Sequence, residues 1–200
     1  MKRILAVVIV IAIIVLLWFL FFKPTGKTTI NAPAKKDTVS KKHSPEFDAE
    51  IASLINSYIQ MKDAFADADT SAIKAKTANF IASADSLHLN ELQEKDSSIF
   101  MAVQQNVSDI KANAQPILQE NDITEMRRDF SMVSENIYPF LKTVGYEGEK
   151  LYWQNDRNAF GEDKPANWLS KSAETSNPYA EKNNSNNSHS AETMDSIYAK

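Results

Sequence analysis

The sequence predicts an all-α protein: an antiparallel four-helix bundle with an aromatic, loop-rich C-terminal wrap, preceded by one transmembrane helix. Three observations indicate this fold class. The 200 residues include only four glycines and no cysteine, a composition typical of helical domains without disulfides or thiolate metal sites. Apolar residues recur every three or four positions along much of the chain. One long, unbroken apolar run lies near its start.

That run, Ile4 to Phe22, contains 19 residues and as a helix would span roughly 28 Å, close to the hydrocarbon thickness of a bilayer. Lys23 and Pro24 follow it and make a poor signal-peptidase site. We therefore expect residues 1–23 to be an uncleaved signal anchor, with a cleaved signal peptide as the alternative. The basic start favours a cytoplasmic N-terminus, although the lysines after the run favour the reverse in a simple charge count.

Charge divides the chain into two parts. Residues up to Pro45 hold eight Lys and Arg against one acid, whereas the remainder holds 14 basic and 25 acidic residues. The basic part from residue 24 to residue 44 has almost no large apolar side chain, so we expect a flexible linker whose lysines meet anionic head groups. The acidic part is a poor surface for nucleic acid, which we exclude as a partner.

Helix boundaries are signalled by capping residues in the segment 45–180, which we expect to form the folded domain. Ser44 and Pro45 suit an N-cap and a first helical position, and Thr70 suits a second N-cap. A third start is indicated by Asp122, and Gly145 suits the end of that helix. Pro116 and Pro139 fall inside the third and fourth predicted helices, and we expect a kink or an early helix end at each of them. The four apolar stripes begin at Phe47, Ile73, Ile99 and Ile123.

Two segments follow the predicted helices. Residues 146–180 carry many large rings among Gly, Pro, Asn and Asp, and rings of that size are seldom left in water. We expect this segment to wrap the bundle and to present an interaction surface. Residues 181–200 are of low complexity and are expected to be a disordered tail. The rings of the predicted surface are Tyr152, Trp153, Phe160, Trp168 and Tyr179.

Four short motifs, in order, resemble a known family. They are Tyr-Ile-Gln-Met-Lys-Asp-Ala-Phe from residue 58, Arg-Arg-Asp-Phe-Ser-x-x-Ser from residue 127, Ala-Asn-Trp-Leu-Ser from residue 166 and Asn-Pro-Tyr from residue 177. Together they resemble the domain of unknown function 3347 family. The resemblance implies a Bacteroidetes-type extracytoplasmic helical domain with relatives fused to adaptor subunits of heavy-metal efflux pumps. Together with the predicted anchor, this indicates a protein of the bacterial inner membrane with its main domain in the periplasm.

The resemblance also implies a soft-metal site that this chain has altered. Many relatives carry Cys-Pro-Met after a Tyr-x-x-x lead and a second cysteine beyond Asn-Pro-Tyr. Here the Cys and Met positions hold Asp156 and Asn158, next to Asn155, and no cysteine follows. Thiolates and thioethers suit copper(I), whereas carboxylates and amides do not. The resemblance thus implies a degenerate metal site, without its soft ligands, at Asn155, Asp156 and Asn158. An accessory role in metal binding or efflux stays as the alternative function.

The remaining polar residues form no recognisable site. Histidines lack ligand spacing, and no nucleophile motif, phosphate loop or cofactor fingerprint is present. Arg127 and Arg128 fit surface pairs with neighbouring acids. We therefore predict no enzyme, no catalytic residue and no cofactor. The predicted function is a membrane-anchored periplasmic binding or interaction module that meets an envelope protein through its fourth helix and aromatic wrap.

Overall fold

Helices make up most of the described chain, which covers residues 43–173, 176–181 and 192–197 in the computed structural model. Four long helices pack around one core, so the predicted helical bundle is confirmed. A short helix and a 3-10 turn flank the third long helix. The elements are α1 Pro45–Ala66, α2 Thr70–Asp85, α3 Asn90–Lys95, α4 Ser97–Ala114, the 3-10 turn Pro116–Leu118 and α5 Ile123–Val144.

Capping residues fix the helix ends largely as predicted. The Oγ of Ser44 accepts a hydrogen bond from the Phe47 N–H at 3.1 Å, with Pro45 as the first helical residue. Asp122 caps α5, and Gly145 ends that helix with a φ of 69°, a left-handed conformation that suits glycine. The prediction for α2 is wrong by one residue. Its N-cap is Asp69, whose carboxylate accepts two backbone N–H bonds, and not Thr70.

The two prolines inside the predicted helices behave differently. At Pro116 the helix ends early, because α4 stops at Ala114 and a tighter turn starts at the proline. At Pro139 the helix does not end, since α5 continues to Val144. The side chains of Ile137 and Phe140, before and after Pro139 in sequence, are buried and keep the last turns of α5 in the core.

The aromatic segment after α5 is not a loop-rich wrap, and the all-α prediction is wrong there. It forms an antiparallel hairpin of two strands, β1 Leu151–Asp156 and β2 Ala166–Ser170, in which Trp153 lies opposite Leu169. Aromatic and branched residues favour extended backbone when one face can be buried. β2 packs on α5 and α1, so the hairpin closes one side of the bundle.

A third strand, β3 Glu192–Ile197, pairs antiparallel with β1 on the side away from β2. These six residues fall within the segment predicted to be a disordered tail, and their pairing differs from that prediction. The sheet order is β2-β1-β3, so β1 is the central strand.

The predicted signal anchor, its transmembrane run Ile4–Phe22 and the basic linker up to residue 42 lie outside the described residues. Among the helices that are described, none is both long enough and apolar enough to cross a bilayer.

Candidate functional site

Tyr58 ties the bundle to the hairpin through a chain of hydrogen bonds. The Leu169 N–H of β2 donates to the Tyr58 hydroxyl at 3.2 Å, and this hydroxyl lies 2.6 Å from Ser134 Oγ on α5. Ser134 in turn donates to the Phe130 carbonyl at 3.0 Å, so Tyr58 is the donor to Ser134. Burial raises the pKa of Tyr58 well above its ordinary value, which keeps the hydroxyl protonated as a donor.

Aromatic rings extend this junction toward the end of the domain. Phe130 stacks on Tyr58 with ring centroids 5.5 Å apart and also contacts Tyr179 at 5.8 Å. Tyr179 meets Trp168 and Phe160 edge to face, at 5.9 and 5.5 Å. Its hydroxyl donates to the Asn167 carbonyl at 2.8 Å, and burial raises its pKa. The ring cluster therefore joins α1, α5, β2 and the Asn-Pro-Tyr segment.

Arg127 holds the segment after Asn-Pro-Tyr against α5. Its Nε donates to the Pro178 carbonyl at 2.9 Å and its Nη2 donates to the Ala180 carbonyl. The residue is only 7% exposed, and burial lowers its pKa while the charge of Glu181 opposes that shift. The prediction of a surface pair is therefore wrong for Arg127. The prediction of a surface pair is confirmed for Arg128, whose Nε lies 3.7 Å from Glu125 Oε1 on an exposed face.

Asp156 connects the end of β1 to the same segment. One carboxylate oxygen accepts from the Asn158 N–H at 2.9 Å, and the other accepts from Asn177 Nδ2 at 2.6 Å. Asn177 also accepts, through Oδ1, the N–H of Tyr179 at 2.9 Å. Since the buried Asp156 carboxylate is satisfied on both oxygens, it fixes the Asn-Pro-Tyr turn beside β1.

A pocket of about 330 Å³ opens between these pieces, and we name it the α5 pocket. The guanidinium of Arg128 lies 5.9 Å from the centroid of Phe160 at its wall. The turn after β1 that forms another wall contains Gly161, whose φ of 111° is disfavoured for other residues. The pocket is lined by Thr124, Arg127, Arg128, Asp156, Asn158, Ala159, Phe160, Gly161, Tyr179, Ala180 and Glu181.

The rings of the predicted interaction surface fall into two groups. Phe160 and Tyr179 line the α5 pocket. Trp153 stacks on Tyr138 of α5 at 4.5 Å, and the side chain of Trp168 is wholly buried, so both support the hairpin from inside. Tyr152 stays partly exposed, with the ammonium of Lys150 4.7 Å from its ring centroid. The surface a partner could contact is therefore narrower than predicted.

The three positions of the altered metal site, Asn155, Asp156 and Asn158, do not lie together. Asp156 and Asn158 line the α5 pocket, whereas Asn155 lies on the other side of β1, where its Nδ2 donates to Asn167 Oδ1 at 2.8 Å. Carboxylate and amide oxygens do not fit a soft metal ion. In the described ranges, no three His, Asp or Glu side chains converge in a way that could hold a metal ion.

The fold and pocket define a helical-bundle domain closed by a C-terminal β-hairpin. The model of the family described as "Protein of unknown function (DUF3347)" matches residues 54–148, from α1 to just beyond α5. This match confirms the family resemblance over the helices, where the first two of the four motifs lie. No curated protein and no solved structure is significantly similar to the chain.

Proposed function

We propose that this protein is a non-enzymatic binding module, tethered to the bacterial inner membrane through residues 4–22 and carrying its domain in the periplasm. The α5 pocket is its binding site in this proposal. One observation supports the site above all: residues far apart in sequence line the same pocket, namely Arg127 and Tyr179 of the family motifs and Asp156 of the altered metal site.

The lining of the pocket favours a peptide-like partner over a reaction. It offers guanidinium groups, carboxylate groups and the rings of Phe160 and Tyr179 within one cavity. A peptide segment presents both donors and acceptors and often an apolar side chain, which suits such mixed walls. The partner is therefore an envelope protein that inserts a short segment beside α5.

A metal-handling accessory role is the competing proposal, because Asp156 and Asn158 stand where relatives are inferred to carry soft ligands. The oxygen-only donor set of the pocket disfavours that role. The periplasmic address is supported by the 19-residue apolar run and its basic start.

Site-specific photocrosslinking in intact cells tests the binding site. A photoreactive phenylalanine analogue replaces Phe160 at the pocket or, as a control, Met101, which is 68% exposed on α4. We expect a discrete crosslinked protein from position 160 only, in the membrane fraction that resists alkaline extraction. Arg128→Ala is expected to reduce it about three- to tenfold, as for loss of an interface Arg.

Lys142→Ala is the matched control variant. Like Arg128, Lys142 is a cation of α5 that lies over an aromatic ring, 5.3 Å from the centroid of Tyr138, but it does not line the α5 pocket. Equal products from positions 160 and 101, or no response to Arg128→Ala, would overturn the site. Extraction of the chain by alkali would overturn the anchor. Copper retained one-to-one after desalting would favour the metal-handling role instead.

A further inference from the structure

A second concave site lies away from the α5 pocket, between the first turns of α1 and the segment that follows α5. We name it the α1 groove. Its volume is about 210 Å³, below the roughly 300–1,000 Å³ of sites that enclose whole small molecules. A groove of this size suits one long side chain. It is lined by His43, Phe47, Asp48, Ile51, Ala52, Ile55, Asn56, Val144, Tyr146, Glu147, Gly148, Glu149 and Lys171.

The floor of the α1 groove is apolar. Phe47, Ile51 and Ile55 succeed one another along one face of α1, and Val144 at the end of α5 completes the floor. All four are at most 4% exposed, so they belong to the core and present a firm surface. Such a floor suits a methylene chain, which loses water-exposed area when it lies along it.

The rim of the groove is acidic. Three carboxylates, those of Asp48, Glu147 and Glu149, line it against one ammonium, that of Lys171. Lys171 Nζ lies 2.9 Å from Glu149 Oε2, so one rim carboxylate already pairs with an alkylammonium of the chain itself. The carboxylates therefore favour a cationic group at the mouth of the groove.

Tyr146 forms the aromatic side of the groove. Gly148 lies directly on this ring, since a Cβ at Gly148 would come within 2.4 Å of the Tyr146 hydroxyl oxygen. Burial, with the charges of Glu149 and Asp48, raises the pKa of Tyr146 to about 12, in keeping with carboxylates close to its hydroxyl. The ring adds a face on which a cation is attracted.

We propose that the α1 groove binds a lysine side chain carried by an extended segment of a partner protein. The methylene stem lies on the floor of Phe47, Ile51 and Ile55, and the ammonium reaches Glu147 and Glu149 at the rim. The chain from Glu46 onward carries 25 acids against 14 basic residues, which favours the approach of a cationic partner. This site is independent of the α5 pocket and of the function proposed for it.

Titration of the full chain in neutral detergent with two short capped peptides tests this proposal. Their central residue is lysine or norleucine, flanked by Gly and Ala. We expect the lysine peptide to shift the NMR signals of Tyr146 and of residues 147–149, with a Kd on the order of 1 mM. Norleucine keeps the stem without the charge, and we expect it to bind at least about fivefold more weakly.

Paired variants locate the effect. Glu147→Gln with Glu149→Gln is expected to weaken the lysine peptide about three- to tenfold, because two of the three rim carboxylates are lost. Glu162→Gln with Asp163→Asn removes two acids elsewhere on the domain and is expected to leave binding unchanged. Equal affinity for norleucine, or equal loss in both double variants, would overturn the proposal.

The lysines of the chain's own linker are the rival occupant. A third variant replaces Lys35, Lys36, Lys41 and Lys42 with serine. Peptide binding that appears only in this variant would mean that the linker occupies the groove, which overturns the partner proposal. Unchanged binding supports it.

Discussion

At the scale of single residues, Tyr58 shows why motif residues need not be a catalytic site. Its hydroxyl accepts from β2 and donates to Ser134 of α5 inside the core. A buried hydroxyl with both hydrogen-bond partners stabilises the junction. A buried donor without an acceptor lowers the free energy of unfolding. The first, second and third motifs are thus linked by one oxygen atom.

Substitution at this junction should therefore be non-additive. Tyr58→Phe leaves the Leu169 N–H without its acceptor and is expected to lower the free energy of unfolding by about 1–2 kcal/mol, with about 1 kcal/mol for Ser134→Ala. The double variant is expected to lose about 1 kcal/mol less than the sum. Urea unfolding followed by circular dichroism measures all three.

Ser131→Ala is the control for this cycle, because Ser131 lies one turn earlier on α5 and its Oγ bonds only the local Arg128 carbonyl in an exposed position. Its effect should stay within about 0.5 kcal/mol and should add to that of Tyr58→Phe. Simple additivity of Tyr58→Phe and Ser134→Ala would contradict the hydrogen-bond chain.

At the scale of elements, Glu91 of α3 gathers the ends of two other helices. One oxygen lies 2.8 Å from His43 Nδ1 and the other accepts the Ser44 N–H at 3.2 Å. His43 Nε2 reaches the Val144 carbonyl at the end of α5, at 2.6 Å. These contacts form a clasp that holds together the start of α1, the short α3 and the end of α5. The clasp lies at the end of the domain where the chain enters α1.

This clasp predicts an acid-dependent loss of stability. Burial alone would raise the pKa of Glu91, but hydrogen bonds from Ser44 and His43 and the charge of Lys95 lower it from 4.5 to about 2. A lowered folded-state pKa means that the stabilisation is complete above about pH 4.5 and is lost as the pH falls toward 2. Glu91→Gln is expected to cost on the order of 1 kcal/mol at pH 7.

The difference between the wild-type chain and Glu91→Gln should therefore shrink as the pH falls from 4.5 to 2, in urea unfolding at fixed ionic strength. Glu94→Gln on the same short helix serves as the control and should show little difference at any pH. A Glu91→Gln effect that is the same at pH 7 and pH 2 would show that the carboxylate charge is not involved.

The elements also show what the sequence could and could not predict. Caps such as Ser44, Asp122 and Gly145 act within a few residues, so their patterns predicted helix ends correctly. The hairpin depends on burial of its rings against α5 and α1, which is a tertiary effect and leaves only the β-favouring runs around Trp153 and Trp168 as a signal. Polar turn residues surround these runs, so the sequence pattern predicts a loop there instead.

The candidate site was predictable only in part. The family resemblance indicates Asp156 as an altered metal-site position and Tyr179 as part of Asn-Pro-Tyr. Both residues line the α5 pocket. The role of Arg127 could not be inferred, because helical periodicity placed it beside Arg128 with the same charge and the same neighbours. Only the position of the chain after Tyr179 decides which arginine is buried.

At the scale of the whole molecule, the hairpin is the part that converts a plain bundle into a domain with a pocket. Its strand β1 has partners on both sides, β2 and the late strand β3, so residues 192–197 return to a structure that the middle of the chain has built. The pairing register runs from Leu151 opposite Ile197 to Asn155 opposite Glu192, with an irregularity after Trp153.

Removal of β3 should therefore loosen β1 and leave the bundle intact. A chain ended after Glu181 turns β1 into an edge strand, and we expect hydrogen exchange of amides in residues 151–156 to speed up about tenfold or more, since edge pairing opens at low free energy. Amides of α1 and α5 should keep their protection. A chain ended after Ile197 retains β3 and is the matched control. If the two truncated chains exchange at the same rate over residues 151–156, then β3 does not pair with β1 in solution, and the pocket depends on the β1–β2 hairpin alone.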